Sequence, residues 1–170
     1  MPIQQRIWSM IKQKDALILT NNRESVLSFD LKTFTLSQLF NFDRKFEPET
    51  RVLFSDADTL LIGGKGGLWR YNINTKHLEQ FSALREAQIY AINKMGRQVL
   101  IGTLQGLWTY HLDTKQIKVY DTKSGLTNNY VTACFPVGSD RILVATYSGV
   151  NLIDTRYGLI SKYDKLHGLS

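Results

Sequence analysis

The sequence predicts an all-β fold built from four copies of a four-stranded antiparallel sheet, and three observations carry that expectation. A unit of two short apolar runs around a Gly-bearing turn, Leu100 to Thr114, recurs as Leu61 to Thr75 and, in a worn form, as Leu143 to Thr155. Placing Ser25, Gly67, Gly106 and Gly149 in register gives steps of 42, 39 and 43 residues, so four such units fill the 170-residue chain. The runs are rich in β-branched and aromatic residues and are bounded by Gly, Asn, Asp and Thr, which is the composition of short strands between turns. A period of roughly 40–45 residues is that of a four-stranded propeller blade, whereas leucine-rich and ankyrin units are shorter and partly helical. The expected architecture is a single partial β-propeller domain over 1–170, with blades at about 5–45, 46–86, 87–126 and 127–168, forming part of a larger propeller.

In unit one, Arg6 to Ile11 reads as the first strand, Ala16 to Thr20 as the second, Ser25 to Asp30 as the third and Thr35 to Phe40 as the outermost. Asn21 to Glu24 is the turn before the third strand, and the charged stretch Asn41 to Glu49, with Pro48, is a surface connection. Unit two starts with Arg51 to Phe54, turns at Ser55 to Asp58 and runs through its Gly-rich hairpin to Leu78–Phe81. Local propensity and repeat register disagree over Ser82 to Met95. Ala83-Leu84-Arg85-Glu86-Ala87 taken alone predicts a helix reaching Asn93, while the register makes Ile89 to Ile92 the first strand of unit three. The register takes precedence, leaving one helical turn near Leu84 to Ala87. Unit three ends with the junction Asp121 to Asn129, which leads into unit four, whose outer strand is Leu159–Tyr163. Gly168-Leu169-Ser170 then repeats the start of the junction Gly125-Leu126-Thr127, where a fifth unit would begin.

Composition narrows the function classes. An apolar content of 43% with 21% charged residues suits a globular chain. The net charge of +6 is scattered, with no run of five or more basic residues, which points away from nucleic acid. No apolar stretch approaches the ~18 residues of a membrane span. The start Met1 to Arg6 lacks the apolar run of a signal peptide, so the expectation is a cytoplasmic chain or one whose targeting segment is removed. The single cysteine, Cys134, sits in the apolar run Val131 to Phe135 and reads as a small buried hydrophobe. His77, His111 and His167 fall in different units without ligand spacing, so no metal and no cofactor are expected. Ser55-Asp56-Ala57-Asp58 lacks the downstream Gly and Glu of a calcium loop, and Gly63 to Gly67 leads into a strand where a phosphate-cradling loop needs a helix.

Gly125-Leu126-Thr127-Asn128-Asn129, an apolar strand, and then Leu100-Ile101-Gly102-Thr103 with Gly106-Leu107, Tyr110 and Thr114 are the residues of one repeat signature. It resembles the two-component regulator propeller repeat. Such repeats form the extracytoplasmic sensor regions of bacterial hybrid histidine kinases and of related one-component regulators or cyclases, many of which respond to oligosaccharides. The resemblance is strong in units three and four, moderate in two and weak in one, where Thr20 and Ser25 replace glycines. It implies a non-catalytic, ligand-sensing segment, periplasmic or extracytoplasmic in the full-length protein. Two other readings stand beside it: a protein-interaction scaffold without a small ligand, and a propeller lyase or glycosidase, for which no acid–base pair is legible.

Most motif residues have a packing role. Gly67, Gly106 and Gly149 supply permissive backbone, Trp69 and Trp108 read as inter-blade packing, and Asp30, Asn72, His111 and Asp154 as turn hydrogen bonders. For recognition, the loops joining second to third strands and those joining one blade to the next share one side. That side collects the candidate ligand-binding residues Lys65, Gln105, Thr127, Asn128, Asn129, Tyr147 and Ser148, suited to an oligosaccharide or another small ligand. Four units are also expected not to close a ring alone. Positions of the type Trp8, Val26, Leu152 and Ile153 would then lie bare until covered by the remaining blades or a second copy.

Overall fold

The computed structural model describes residues 6–21, 25–42 and 49–163. The turn at 22–24, the loop around Pro48, His167 and the terminal Gly168-Leu169-Ser170 lie outside the described residues. Four antiparallel four-stranded sheets make up the structure, each with its strands in chain order. Blade one holds β1 (Ile7–Gln13), β2 (Ala16–Asn21), β3 (Ser25–Asp30) and β4 (Leu36–Asn41). Blade two holds β5 (Glu49–Asp56), β6 (Thr59–Lys65), β7 (Gly67–Asn72) and β8 (His77–Gln80). Blade three holds β9 (Ile89–Met95), β10 (Gln98–Thr103), β11 (Gly106–His111) and β12 (Ile117–Tyr120). Blade four holds β13 (Val131–Val137), β14 (Arg141–Thr146), β15 (Gly149–Asp154) and β16 (Leu159–Tyr163). This is the four-blade all-β propeller segment that the repeat predicts. The disputed stretch resolves in favour of the register: a single 3₁₀ turn, Ser82–Leu84, precedes β9, and the longer helix does not form.

The chain divides into two compact units, Met1–Ile89 and Tyr90–Ser170. In the first, β1 lies against β5, and the core gathers Ile18, Val26, Leu53, Leu60, Ile62, Trp69 and Tyr71. Phe42 meets Trp69 edge to face at 5.2 Å, so this tryptophan is a packing residue, as expected. In the second, β10 lies against β13, and Leu100, Leu107, Tyr120, Cys134, Ile142, Val144 and Ile153 form the core. Burying one such Leu or Ile fully is worth about 1.5–3 kcal/mol, which makes each unit's inward sheet faces its main source of stability.

Period-2 alternation corrects one expectation. Val26 and Ile153 are fully buried, because each lies on the face of its sheet that meets the neighbouring blade of its own unit. The uncovered positions are one residue out of phase. On blade four they include Phe135, Leu143 and Leu152, consecutive partners across β13, β14 and β15, with Leu159 and Tyr163 on β16. Trp8, half exposed on β1, matches its expectation.

The hairpins joining second to third strands are tight in blades three and four, and at Gly67 and Gly106 glycine is required by space. Thr103 pairs with Gly106 and Thr146 with Gly149, leaving two-residue turns at Leu104-Gln105 and Tyr147-Ser148. Each threonine hydroxyl closes its turn, donating to the glycine carbonyl at 2.9 Å and accepting the turn's second N–H. Gly106 has φ +116°, and a Cβ there would stand 2.2 Å from the Tyr120 carbonyl oxygen. At the other end of the strands, Asp30, Asn72, His111 and Asp154 each accept backbone N–H groups of the turn into the fourth strand. The turn role expected for all four is what the structure shows.

Candidate recognition face

In the second unit the loop end of the strands is built around the junction from Asp121 to Tyr130. Asp121 accepts the Ser124 N–H at 2.9 Å, and this hydrogen bond, ahead of the opposing effect of burial, holds its carboxyl below the usual range. The Leu126 N–H returns to the Asp121 carbonyl at 2.9 Å, and Gly125 takes φ +116° to make that loop possible. The chain then runs past both hairpins. Gly106 donates to the Asn129 carbonyl at 2.8 Å, and Tyr147 donates to the Tyr130 carbonyl at 3.0 Å. Two hairpins and one junction are thereby tied into a single surface.

Of the seven candidate residues, six lie on this surface, and their polar atoms divide into two groups. Thr127 and Asn129 are engaged in construction. Asn151, fully buried, accepts the Thr127 N–H at 3.0 Å and donates to the Thr127 hydroxyl at 2.9 Å, and Thr127 shares a further hydrogen bond with Thr146. The Asn129 side-chain oxygen takes the Thr122 N–H at 2.7 Å. Asn128 is also committed at both ends, accepting from the Tyr130 N–H at 2.8 Å and donating to Ser148 Oγ at 3.0 Å. Gln105, Ser148 and Tyr147 are left facing solvent, with Tyr147 78% exposed.

What the repeat pattern missed is a row of rings. Tyr90 meets Tyr130 edge to face with centroids 4.9 Å apart, and Tyr130 lies parallel to Tyr147 at 6.1 Å with 5° between planes. Tyr130 immediately precedes β13 and Tyr90 is the second residue of β9, so both read from sequence as strand residues of an apolar run. The available signal was their place at the start of inner strands, next to the hairpin carrying Tyr147. Such rings present a broad apolar surface with hydroxyls at the edge.

Lys65, the seventh candidate, belongs to the first unit. It ends β6 opposite Glu49, whose carboxyl is held below its ordinary range first by the hydrogen bond from Arg51, at 2.7 Å. A register shift between Thr50 and Val52 makes Arg51 an extra residue in the ladder, and a matching shift between Ile7 and Ser9 does the same for Trp8. Bulges re-aim side chains where a strand must present one. Here the Arg51 guanidinium carbon lies 5.9 Å from the Trp8 ring. Sequence reasoning assigned Trp8 to a bare blade face and gave Arg51 no role.

Cys134 is a buried thiol, as expected, and burial pushes its pKa up to about 12. Among the described residues no group of three or more His, Cys, Asp or Glu side chains is placed to hold a metal ion, and no helix is long and apolar enough to cross a membrane.

No family model matches the sequence, and no curated protein matches it. Solved structures do. The extracellular domain of BT4673 from B. thetaiotaomicron, named as a hybrid two component system, superposes with a TM-score of 0.78 at 20% identity over 92% of this chain. That of BT3049, named likewise and from the same organism, gives 0.72 at 17% identity over 93% of the chain. This chain spans about a fifth of each of those chains, 21% and 22%. The computationally designed Ika4 protein gives 0.68 at 16% identity, over 95% of this chain and 92% of its own. The four repeated sheets, with their glycine hairpins and inter-blade junctions, are thus a segment of the propeller fold found in the extracellular domains of two-component proteins.

Proposed function

We propose that this chain is a ligand-sensing, non-catalytic segment of the extracytoplasmic propeller of a signal-transduction protein. Recognition falls on the loop end of blades three and four. The observation that carries this reading is the tyrosine row: Tyr147 is presented on a two-residue turn locked by Thr146, and Tyr130 stacks behind it on a junction tied to both hairpins. Rigid rings flanked by the Gln105 amide and the Ser148 hydroxyl suit a small ligand with one flat apolar face and equatorial polar groups, as a neutral oligosaccharide has. Thr127, Asn128 and Asn129 act as the frame beneath. The bare face of blade four, with Phe135, Leu143, Leu159 and Tyr163, is read as covered by a further blade of the same polypeptide or by a second copy.

The test is calorimetric titration of the chain with a panel of neutral oligosaccharides, followed by Tyr147→Ala and Tyr147→Phe. Stacking on such a ring is worth about 0.5–1.5 kcal/mol, so the alanine variant is expected to bind roughly 3- to 10-fold more weakly while phenylalanine stays close to the parent. Equal affinity of all three proteins would remove the recognition face from this end of the blades. A scaffold reading predicts instead no saccharide binding and capture of a protein partner insensitive to Tyr147.

A further inference from the structure

At the end of the third strand all four blades do the same job, and one of them does it with different chemistry. Asp30, Asn72 and Asp154 cap the turn with side-chain oxygens, whereas His111 does so through Nδ1, which accepts from the Asp113 and Thr114 N–H groups at 3.3 Å each. An imidazole that accepts at Nδ1 carries its proton on Nε2. Blade three therefore keeps a ring N–H donor where its counterparts have an oxygen.

That ring lines an open cleft of about 390 Å³ beside β11 and β12, whose lining also includes Thr155 of the β15–β16 turn. Gln98 is paired with His111 across the β10–β11 ladder, and Lys118 with Thr109 across β11–β12, so three donor-bearing side chains converge on one wall. Lys118 is the only formally charged residue of the lining. Its Nζ lies 4.7 Å from the centroid of the Tyr120 ring, and among the described residues no carboxylate neutralises it.

Blade two supplies an internal comparison. At the same register positions it has a cleft of about 340 Å³ lined by Thr59, Arg70, Asn72, Thr75 and His77. There Glu79 stands where blade three has Lys118, and it forms an ion pair with Arg70. The same geometry is charge-compensated in one blade and left cationic in the next.

We propose that the blade-three cleft is a binding site for a small anion, a carboxylate or a phosphate, held by Lys118 Nζ, His111 Nε2–H and the Gln98 amide. The site lies at the opposite end of the strands from the tyrosine row and stands or falls independently of it. Two substitutions borrowed from blade two isolate it. His111→Asn keeps a turn acceptor of the Asn72 kind and deletes the ring donor, and Lys118→Glu reverses the charge at an exposed position.

The experiment is an NMR titration of the full chain, following the His111 imidazole and neighbouring amides, with sodium phosphate, glucuronate and neutral glucose at constant ionic strength set by chloride. Saturable shifts with phosphate or glucuronate and none with glucose are expected. The tighter of the two anions assigns the ligand as a phosphoryl group or a sugar acid. Lys118→Glu is expected to weaken binding at least 10-fold and His111→Asn several-fold, with the melting temperature of His111→Asn unchanged. Shifts that fail to saturate, that appear equally with glucose, or that persist unaltered in Lys118→Glu would overturn the proposal.

Discussion

Replacing Gly106 by alanine separates backbone strain from lost space, because Gly96 provides a control with one and not the other. Both glycines have positive φ, +116° and +58°, but a Cβ at Gly96 meets nothing within 4 Å while one at Gly106 would lie 2.2 Å from the Tyr120 carbonyl oxygen. Contacts under 3.0 Å are essentially never shown by real Cβ atoms, so the Tyr120 backbone must retreat. Tyr120 is a buried core residue, and Gly106 donates to the Asn129 carbonyl at 2.8 Å, so the retreat disturbs both packing and that hydrogen bond. Strain at such a φ costs about 1–3 kcal/mol and the lost hydrogen bond about 1 kcal/mol. With some loss of core packing the expected total is about 3–5 kcal/mol. Gly96→Ala bears only the left-handed penalty of about 1–2 kcal/mol, partly offset by a stiffer unfolded chain. Urea unfolding and thermal melts of the three proteins check this. At about 2–4 °C per kcal/mol for a chain of this size, Gly106→Ala should melt at least about 6 °C lower and Gly96→Ala only a few degrees lower. Losses equal within about 1 kcal/mol would refute the claim that the junction, rather than the dihedral, demands glycine.

Asn151→Ala leaves the half-buried Thr127 N–H without its partner and takes one of two hydrogen bonds from the Thr127 hydroxyl, which keeps Thr146, and should cost about 1–3 kcal/mol, read by the same urea midpoints. Thr20→Val should raise the melting temperature, because the buried Thr20 hydroxyl finds no partner among the described residues and its removal relieves about 1 kcal/mol or more. Native Cys134 should resist iodoacetamide at pH 8 and react only as urea opens the second unit, since its pKa of about 12 leaves almost no thiolate. Because that pKa is raised in the folded state, the buried thiol's contribution is complete below pH 9 and lost as pH climbs from 9 toward 12; Cys134→Val should flatten that part of the stability profile.

The repeat was legible in the sequence because a blade cannot bury its faces without the same turn chemistry recurring every 39 to 43 residues. Four strands per unit, the glycine hairpins, the capping role of Asp30, Asn72, His111 and Asp154, and the victory of register over helix propensity at Ser82 to Met95 all follow from that periodicity. Two things did not follow. Which face of each strand is buried depends on strand phase, which residue type alone does not fix where both alternating positions are apolar: Ile142 and Ile153 pair on the core face while Leu143 pairs with Phe135 on the bare one. The recognition face and the cationic cleft depend on side chains from separate strands and turns: Tyr90, Tyr130 and Tyr147 come together across 57 residues, and the cross-strand partner of Lys118 is the uncharged Thr109 where blade two pairs Glu79 with Arg70. Periodicity dictates local structure because turns and strands answer to neighbouring residues. Sites are decided by packing between strands, which only the tertiary structure specifies.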